Sequence, residues 1–167
     1  MTPHLGDLVG RPFAFGGQTS NGIGCYGTAR EVLRRFGIPL IEVNTSDFNG
    51  AHSQVMDFMK NPRGVPPVIR KKTNGKILRV SELASEVVSA YVRGSLSWIE
   101  VEKPEGAVLG IFKVRILHMR VAHLGVFLDE ENFIHGVPPC VRVERLTNSR
   151  WAKRLVSMHK YVGERMS

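Results

Sequence analysis

What this sequence has little of narrows its class before any motif is read. It carries only two cysteines, Cys25 and Cys140, in 167 residues, too few for a disulfide scaffold. It has no CxxC, no HExxH and no Cys/His array, and its six histidines are scattered, so no metal site is expected. No run approaches the ~18 consecutive apolar residues of a membrane span. The opening MTPHLGDLVGRPFAFGG lacks the basic start and apolar stretch of a secretory signal. The expectation is a soluble chain made in a cytoplasm without a signal peptide, which something else must carry if it acts outside the cell. There is no internal repeat and no low-complexity tract.

What is present fits one folded domain over 1–167. The apolar fraction of 43% and charged fraction of 23% are those of a globular protein. Net charge is +8, from 23 Lys and Arg against 15 Asp and Glu, a balance that attracts polyanions such as nucleic acid, anionic lipid and cell-wall polymers. The densest basic patch is Arg70-Lys71-Lys72 with Lys76 and Arg79. Turn residues rather than aromatics surround it, so it reads as a solvated hairpin and no nucleic-acid partner is expected.

Residues 12–24 are rich in Gly, Ser, Thr and Asn and read as an irregular lead-in to a helix. That helix, 25–36, places Ala29, Val32, Leu33 and Phe36 on one stripe and Arg30, Glu31, Arg34 and Arg35 opposite; Gly37 and Pro39 end it. A short helix over 52–60, a hairpin over 66–80 turning at Asn74-Gly75, and a helix over 82–93 follow by pattern. Then come segments 97–102, 107–114, 117–127, 132–136 and 141–145, rich in Val, Ile, Leu and Phe and separated by polar or Gly/Pro turns. They read as consecutive antiparallel strands. A short helix near 147–154 and a last strand near 156–162 close the sheet. Helices first and strands second give α+β.

Cys25 stands where the Gly-rich lead-in meets the helix. A helix N-terminus offers free N–H groups and the positive end of a dipole, which lowers a thiol's pKa and can receive the oxyanion of an attacked carbonyl. The competing reading is a small buried cysteine. A second signal lies in the hairpin 121–136. A register centred on Asp129 pairs Gly125 with Phe133 and His123 with His135, so the two imidazoles share a face. One could take a proton from a thiol while the other orients it. The competing reading is two unrelated histidines, and a one-residue slip would part them.

The order and context of these residues resemble the NlpC-type papain-like peptidases of bacterial cell walls and phage tails. The resemblance rests on Phe13-Ala14-Phe15-Gly16-Gly17, on Asn21-Gly22-Ile23-Gly24 before Cys25, and on Pro104-Glu105-Gly106-Ala107-Val108. It continues in His123-Leu124-Gly125-Val126-Phe127, Phe133-Ile134-His135-Gly136 and the run from Val141 to Trp151. It covers about 8–40 and 97–163 and leaves 41–96 as an unplaced insertion. It implies a papain-like α+β fold, with the N-terminal helix carrying the cysteine packed on a multi-stranded antiparallel sheet. It implies a cysteine endopeptidase (a thiol protease) that cuts peptidoglycan stem peptides at a γ-D-glutamyl–diamino-acid bond and needs no cofactor. Cys25 would be the nucleophile, His123 the general base and His135 its orienter. Tyr26 would help form the oxyanion hole, and Phe13 and Phe15 would line the cleft. The closing run is typical of phage or prophage tail assembly, which implies other tail proteins as partners and action as a virion component at the cell wall.

The chain departs from the family pattern at Gly24, Tyr26, Phe13 and Ala107, where the family usually has Asp, Ser, Tyr and Asp. These changes keep an alternative open: a catalytically inactive binding or assembly module of a phage tail, with the Tyr26 ring plugging the cleft. Gly22-Ile23-Gly24-Cys25-Tyr26-Gly27 matches G-x-G-x-x-G, but loop residues rather than a buried strand precede it, which argues against a dinucleotide site. His118, Cys140, Trp98 and Trp151 read as packing or edge residues.

Overall fold

The computed structural model describes residues 2–14, 17–19, 21–43, 84–116, 119–147 and 149–163. The helix expected over 52–60, the hairpin over 66–80 with its basic patch, and Phe15 lie outside them.

A two-residue pair, β1 (Gln18–Thr19) with β2 (Gly22–Ile23), leads into α1 (Cys25–Arg35). The stripe read from the sequence is the face α1 buries: Ala29, Val32 and Leu33 are almost wholly inaccessible. Burying Leu33 alone is worth about 2 kcal/mol. Gly37, at φ 77°, ends the helix. Its N–H bonds the Arg34 carbonyl at 2.9 Å and the Ile38 N–H bonds the Leu33 carbonyl at 2.9 Å, the paired closure that a left-handed glycine permits.

After α2 (Ala84–Gly94) come β3 (Trp98–Val101), β4 (Val108–Ile116), β5 (Met119–Phe127), β6 (Asn132–Gly136), β7 (Val141–Arg145), α3 (Ser149–Ala152) and β8 (Leu155–Tyr161). All six strands from β3 to β8 form one antiparallel sheet in the order β3-β8-β4-β5-β6-β7. The last strand does not close an edge of a consecutive series. It enters the middle, because α3 and the turn after it carry the chain back across the sheet, with Lys113 N–H bonded to the Arg154 carbonyl at 2.8 Å.

Period-2 alternation gives the sheet two buried faces. Leu109, Ile111, Leu124, Val126 and Ile134 pack under α1 and α2 with Val32, Leu33, Val88 and Val92. Phe112, Phe127, Phe133, Trp151 and Met158 form a second, aromatic cluster on the other side. The N-terminal segment runs beside the turn after β6, with Phe13 N–H on the Pro139 carbonyl at 3.0 Å and Gly10 N–H on the Val141 carbonyl at 2.8 Å. That docking brings Phe13 to the start of α1.

Candidate active site

One close approach places Cys25. Gly136 ends β6 against the start of α1: a Cβ there would stand 2.8 Å from the Gly24 carbonyl oxygen and 2.6 Å from the Thr28 hydroxyl. Only a glycine lets the helix N-terminus come this near. On the other side, β5 pairs with β6 only at Val126↔Ile134 and Phe127↔Phe133. Cys25 and His123 both line a cleft of about 710 Å³.

Helix α1 begins without a side-chain cap. Its N-cap is Gly24 in extended backbone, and no acidic residue stands in the first turn. Ser, Thr, Asp or Asn would ordinarily bond one of the first N–H groups there. Gly24 leaves them to whatever enters the cleft.

The histidines face each other as the hairpin predicts, but the register differs by two. Phe127 pairs with Phe133 rather than with Glu131. The Asp129 carboxylate accepts the Glu131 and Asn132 N–H groups at 2.8 Å, and the Leu128 N–H bonds the Asn132 carbonyl at 2.8 Å. The loop is therefore centred one residue later. A shift of two keeps parity, so the imidazoles stay on one face as diagonal rather than direct neighbours. His123 Nε2 lies 2.8 Å from His135 Nδ1.

Beyond His135 stands a residue the sequence reading did not pick out. His135 Nε2 bonds Glu144 Oε2, and His135 itself is fully buried. An ionised carboxylate can only accept, so His135 carries its proton on Nε2 and its Nδ1 is an acceptor. His123 then donates from Nε2, and its Nδ1 keeps a lone pair for a thiol proton. These tautomers follow from the hydrogen-bond network. Applying the hairpin arithmetic to the next turn, with Gly136 opposite Val141, would have set Glu144 one diagonal from His135.

Burial is the largest influence on the titration of Cys25, His123 and His135. It pushes the Cys25 thiol above its ordinary value; the N–H groups of Leu124, Tyr26 and Cys25 and the Ser85 hydroxyl pull the other way without reversing it. The lowered thiol expected from the helix terminus alone is not what the fold gives, because the cost of burying the charged form outweighs these hydrogen bonds. Burial, then His135 and Arg154, holds His123 well below 6.5. Burial and then Arg142 push His135 down to about 3, and the Glu144 carboxylate does not offset this. Both shifts favour the neutral forms, a thiol and an imidazole that line the same cleft.

A helix-borne cysteine, a strand-borne histidine and a buried second histidine lie within residues 10–160, the span that matches the model of the NlpC/P60 family. The chain belongs to the NlpC/P60 family. Its members are generally cell-wall peptidases. Among solved structures, it is similar to a Staphylococcus aureus protein described as similar to lipoprotein, NLP/P60 family. The TM-score is 0.51 at 17% identity, over 94% of this chain and 38% of that one. This likeness is one of fold: a papain-like α+β domain that spans well under half the length of its neighbour. No curated protein sequence matches the chain.

In this NlpC/P60 domain Phe13 is half-buried and lines the cleft, as does Tyr26. The Tyr26 ring is only 3% exposed and packs in the core under α1. Its hydroxyl donates to the Ile41 carbonyl and accepts the Val43 N–H, both at 2.9 Å. It thus ties 41–43 to the helix and does not stopper the groove. Trp151, read from the sequence as packing, meets the His135 ring edge-on with centres 4.6 Å apart and lies tilted 5.4 Å from that of His123. It also lines the cleft. Ser85, from the stretch the resemblance did not reach, stands in the cleft beside Cys25. Cys140 is a second free thiol, in a backbone bridge with Pro12. Among the described residues no helix is long and apolar enough to cross a membrane.

Proposed function

We propose that the chain is a cysteine endopeptidase that hydrolyses an amide bond of peptidoglycan stem peptides, the γ-D-glutamyl–diamino-acid bond, as a component of a phage or prophage tail. The observation that carries the reading is the relay His123–His135–Glu144 opening onto a cleft that also holds Cys25 at an uncapped helix N-terminus. The family supports the cell-wall substrate. The tail role rests on the run from Val141 to Trp151.

With substrate bound, His123 Nδ1 takes the thiol proton as Cys25 Sγ attacks the carbonyl carbon. The oxyanion meets the N–H groups of Cys25 and Tyr26 at the start of α1. His123 returns the proton to the leaving amine, which leaves a thioester on Cys25. Water, deprotonated by the same nitrogen, releases the acid and restores the thiol. A neutral resting pair makes His123 a general base rather than half of a standing ion pair.

The test is digestion of muropeptides by the parent and by Cys25→Ala and His123→Ala, followed by mass spectrometry. A cut between the glutamyl γ-carbonyl and the diamino acid in the parent alone supports the reading. Intact muropeptides with all three proteins, while each is folded, overturn it.

A further inference from the structure

The relay holds its two imidazoles unequally. His135 is bonded at both ring nitrogens, Nδ1 to His123 Nε2 at 2.8 Å and Nε2 to the Glu144 carboxylate, so its plane is set. Among the described residues, the His123 side chain has one hydrogen bond, the one at Nε2. A single bond fixes one atom of a ring and leaves its tilt open. The nitrogen left unheld is Nδ1, the one that must meet the Cys25 thiol.

Trp151 lies against that ring. The two planes are 31° apart with centres at 5.4 Å, while the His135 ring meets the same indole at 86° and 4.6 Å. One side chain therefore touches both members of the 2.8 Å bond. It is only 4% exposed, although it lines the cleft. The indole is itself held. Phe112 and Phe133 meet it at 5.6 and 5.9 Å, both steeply inclined, and the Arg154 guanidinium lies over it at 5.2 Å. The Arg154 N–H bonds the Trp151 carbonyl at 3.0 Å, and the Lys113 N–H bonds the Arg154 carbonyl at 2.8 Å. Lys113 follows Phe112, the direct cross-strand partner of His123. The short helix α3 is thus tied to the strand beside the base. Packing alone would be met by any large apolar side chain here; the contact with the face of His123 needs a flat one.

We propose that Trp151 is a positioning residue of the reaction: it fixes the plane of His123 so that Nδ1 is aimed at Cys25, and it keeps water from the His123–His135 bond. The proposal rests on reading the site as a peptidase, because it concerns how the base of that reaction is aimed. A reacting group held by packing keeps its geometry, and a hydrogen bond shielded from water is the stronger for it.

The experiment compares the full chain with Trp151→Phe, Trp151→Met and Phe127→Leu, each checked for folding by its urea midpoint. Trp151→Met keeps an adaptable apolar side chain and removes the flat face; Trp151→Leu replaces it should it not fold. Phe127 is the control. It belongs to the same buried cluster and packs on Phe112 and Phe133, and among the described residues it has no ring contact with either histidine. Steady-state kinetics on a γ-D-glutamyl–diaminopimelyl muropeptide should show kcat lowered roughly 10²-fold in Trp151→Met with KM little changed, under about tenfold in Trp151→Phe, and under about threefold in Phe127→Leu. Proton NMR supplies a readout without turnover. The N–H between the two imidazoles should give a downfield resonance, slow to exchange with water, in the parent, Trp151→Phe and Phe127→Leu, and lost to exchange in Trp151→Met. A folded Trp151→Met that keeps either the parental kcat or the resonance overturns the proposal. So do equal losses in Trp151→Phe or Phe127→Leu, and so does a parent with no protected proton. If the parent cuts no muropeptide, the peptidase reading fails by itself, and the resonance still decides the positioning.

Discussion

His123 Nε2 lies 2.8 Å from His135 Nδ1, so the proton position on one imidazole dictates that on the other. Glu144 fixes the far end by accepting from His135 Nε2. Glutamine at 144 can donate as well as accept, so it no longer holds the proton on His135 Nε2 and admits the reversed tautomers, in which His123 Nδ1 carries a proton. Glu144→Gln is expected to lower kcat by roughly 10²- to 10⁴-fold with KM little changed. Steady-state kinetics on a muropeptide checks this; a kcat within threefold of the parent would show that the relay does not set the base.

The free protein should look like a poor thiolate. Cys25 is raised by burial and His123 is held well below 6.5. Iodoacetamide alkylation of Cys25 should therefore climb only above the ordinary thiol range, and hydrolysis should keep its acid limb below pH 6.5. Alkylation already complete in rate at neutral pH would show a preformed ion pair instead.

Buried neutral histidines also make the fold acid-sensitive. Between the unfolded value near 6.5 and about 3 for His135, the unfolded chain binds a proton that the folded chain does not. Stability is full above 6.5 and falls as pH drops through that window, by on the order of 2 kcal/mol at pH 5 from His135 alone. Urea midpoints at pH 7 and 5 test it, with a smaller difference expected in His135→Gln. Equal pH sensitivity in the two proteins would clear His135 of the effect.

Gly136→Ala should separate the helix from the sheet. The added methyl meets the Gly24 carbonyl at 2.8 Å, backbone that cannot swing aside. A loss of about 1–3 kcal/mol is expected, with a larger proportional loss of hydrolysis than of folded protein, since Cys25 moves relative to His123. Unchanged activity would mean that the approach is not what aligns the pair.

Ala107 has φ 63°, a left-handed conformation that costs a residue with a Cβ about 1–2 kcal/mol. Ala107→Gly should raise stability by up to about 1 kcal/mol, once the extra freedom of the unfolded glycine is subtracted. Thermal denaturation decides it, and a lowered Tm would show that the buried methyl matters more than the strain.

Much of this was legible in the chain because local pattern and tertiary structure agree. The Ala29–Val32–Leu33 stripe names the buried face of α1, and alternation names the strands. The facing of His123 and His135 survived a wrong register because parity is all it needs. The Asp129 side-chain bonds that shifted the register belong to the turn, and strand alternation carries no trace of them. Glu144 lies across a second hairpin, and only the register of that hairpin brings it one diagonal from His135. The thiol's direction is set by its burial in the tertiary structure, against which the Leu124 N–H and the Ser85 hydroxyl pull, and no local pattern encodes that. Nor does any strand's composition say that β8 lies between β3 and β4.

That placement of β8 has a bearing on when the protein can work. Until residue 161 has left the ribosome, β3 lacks its partner and β4, which carries the hairpin bearing His123, has an open edge. Cys25 is made about 130 residues before the strand that completes the sheet bearing His123. The sheet that carries His123 is thus complete only when β8 has been made.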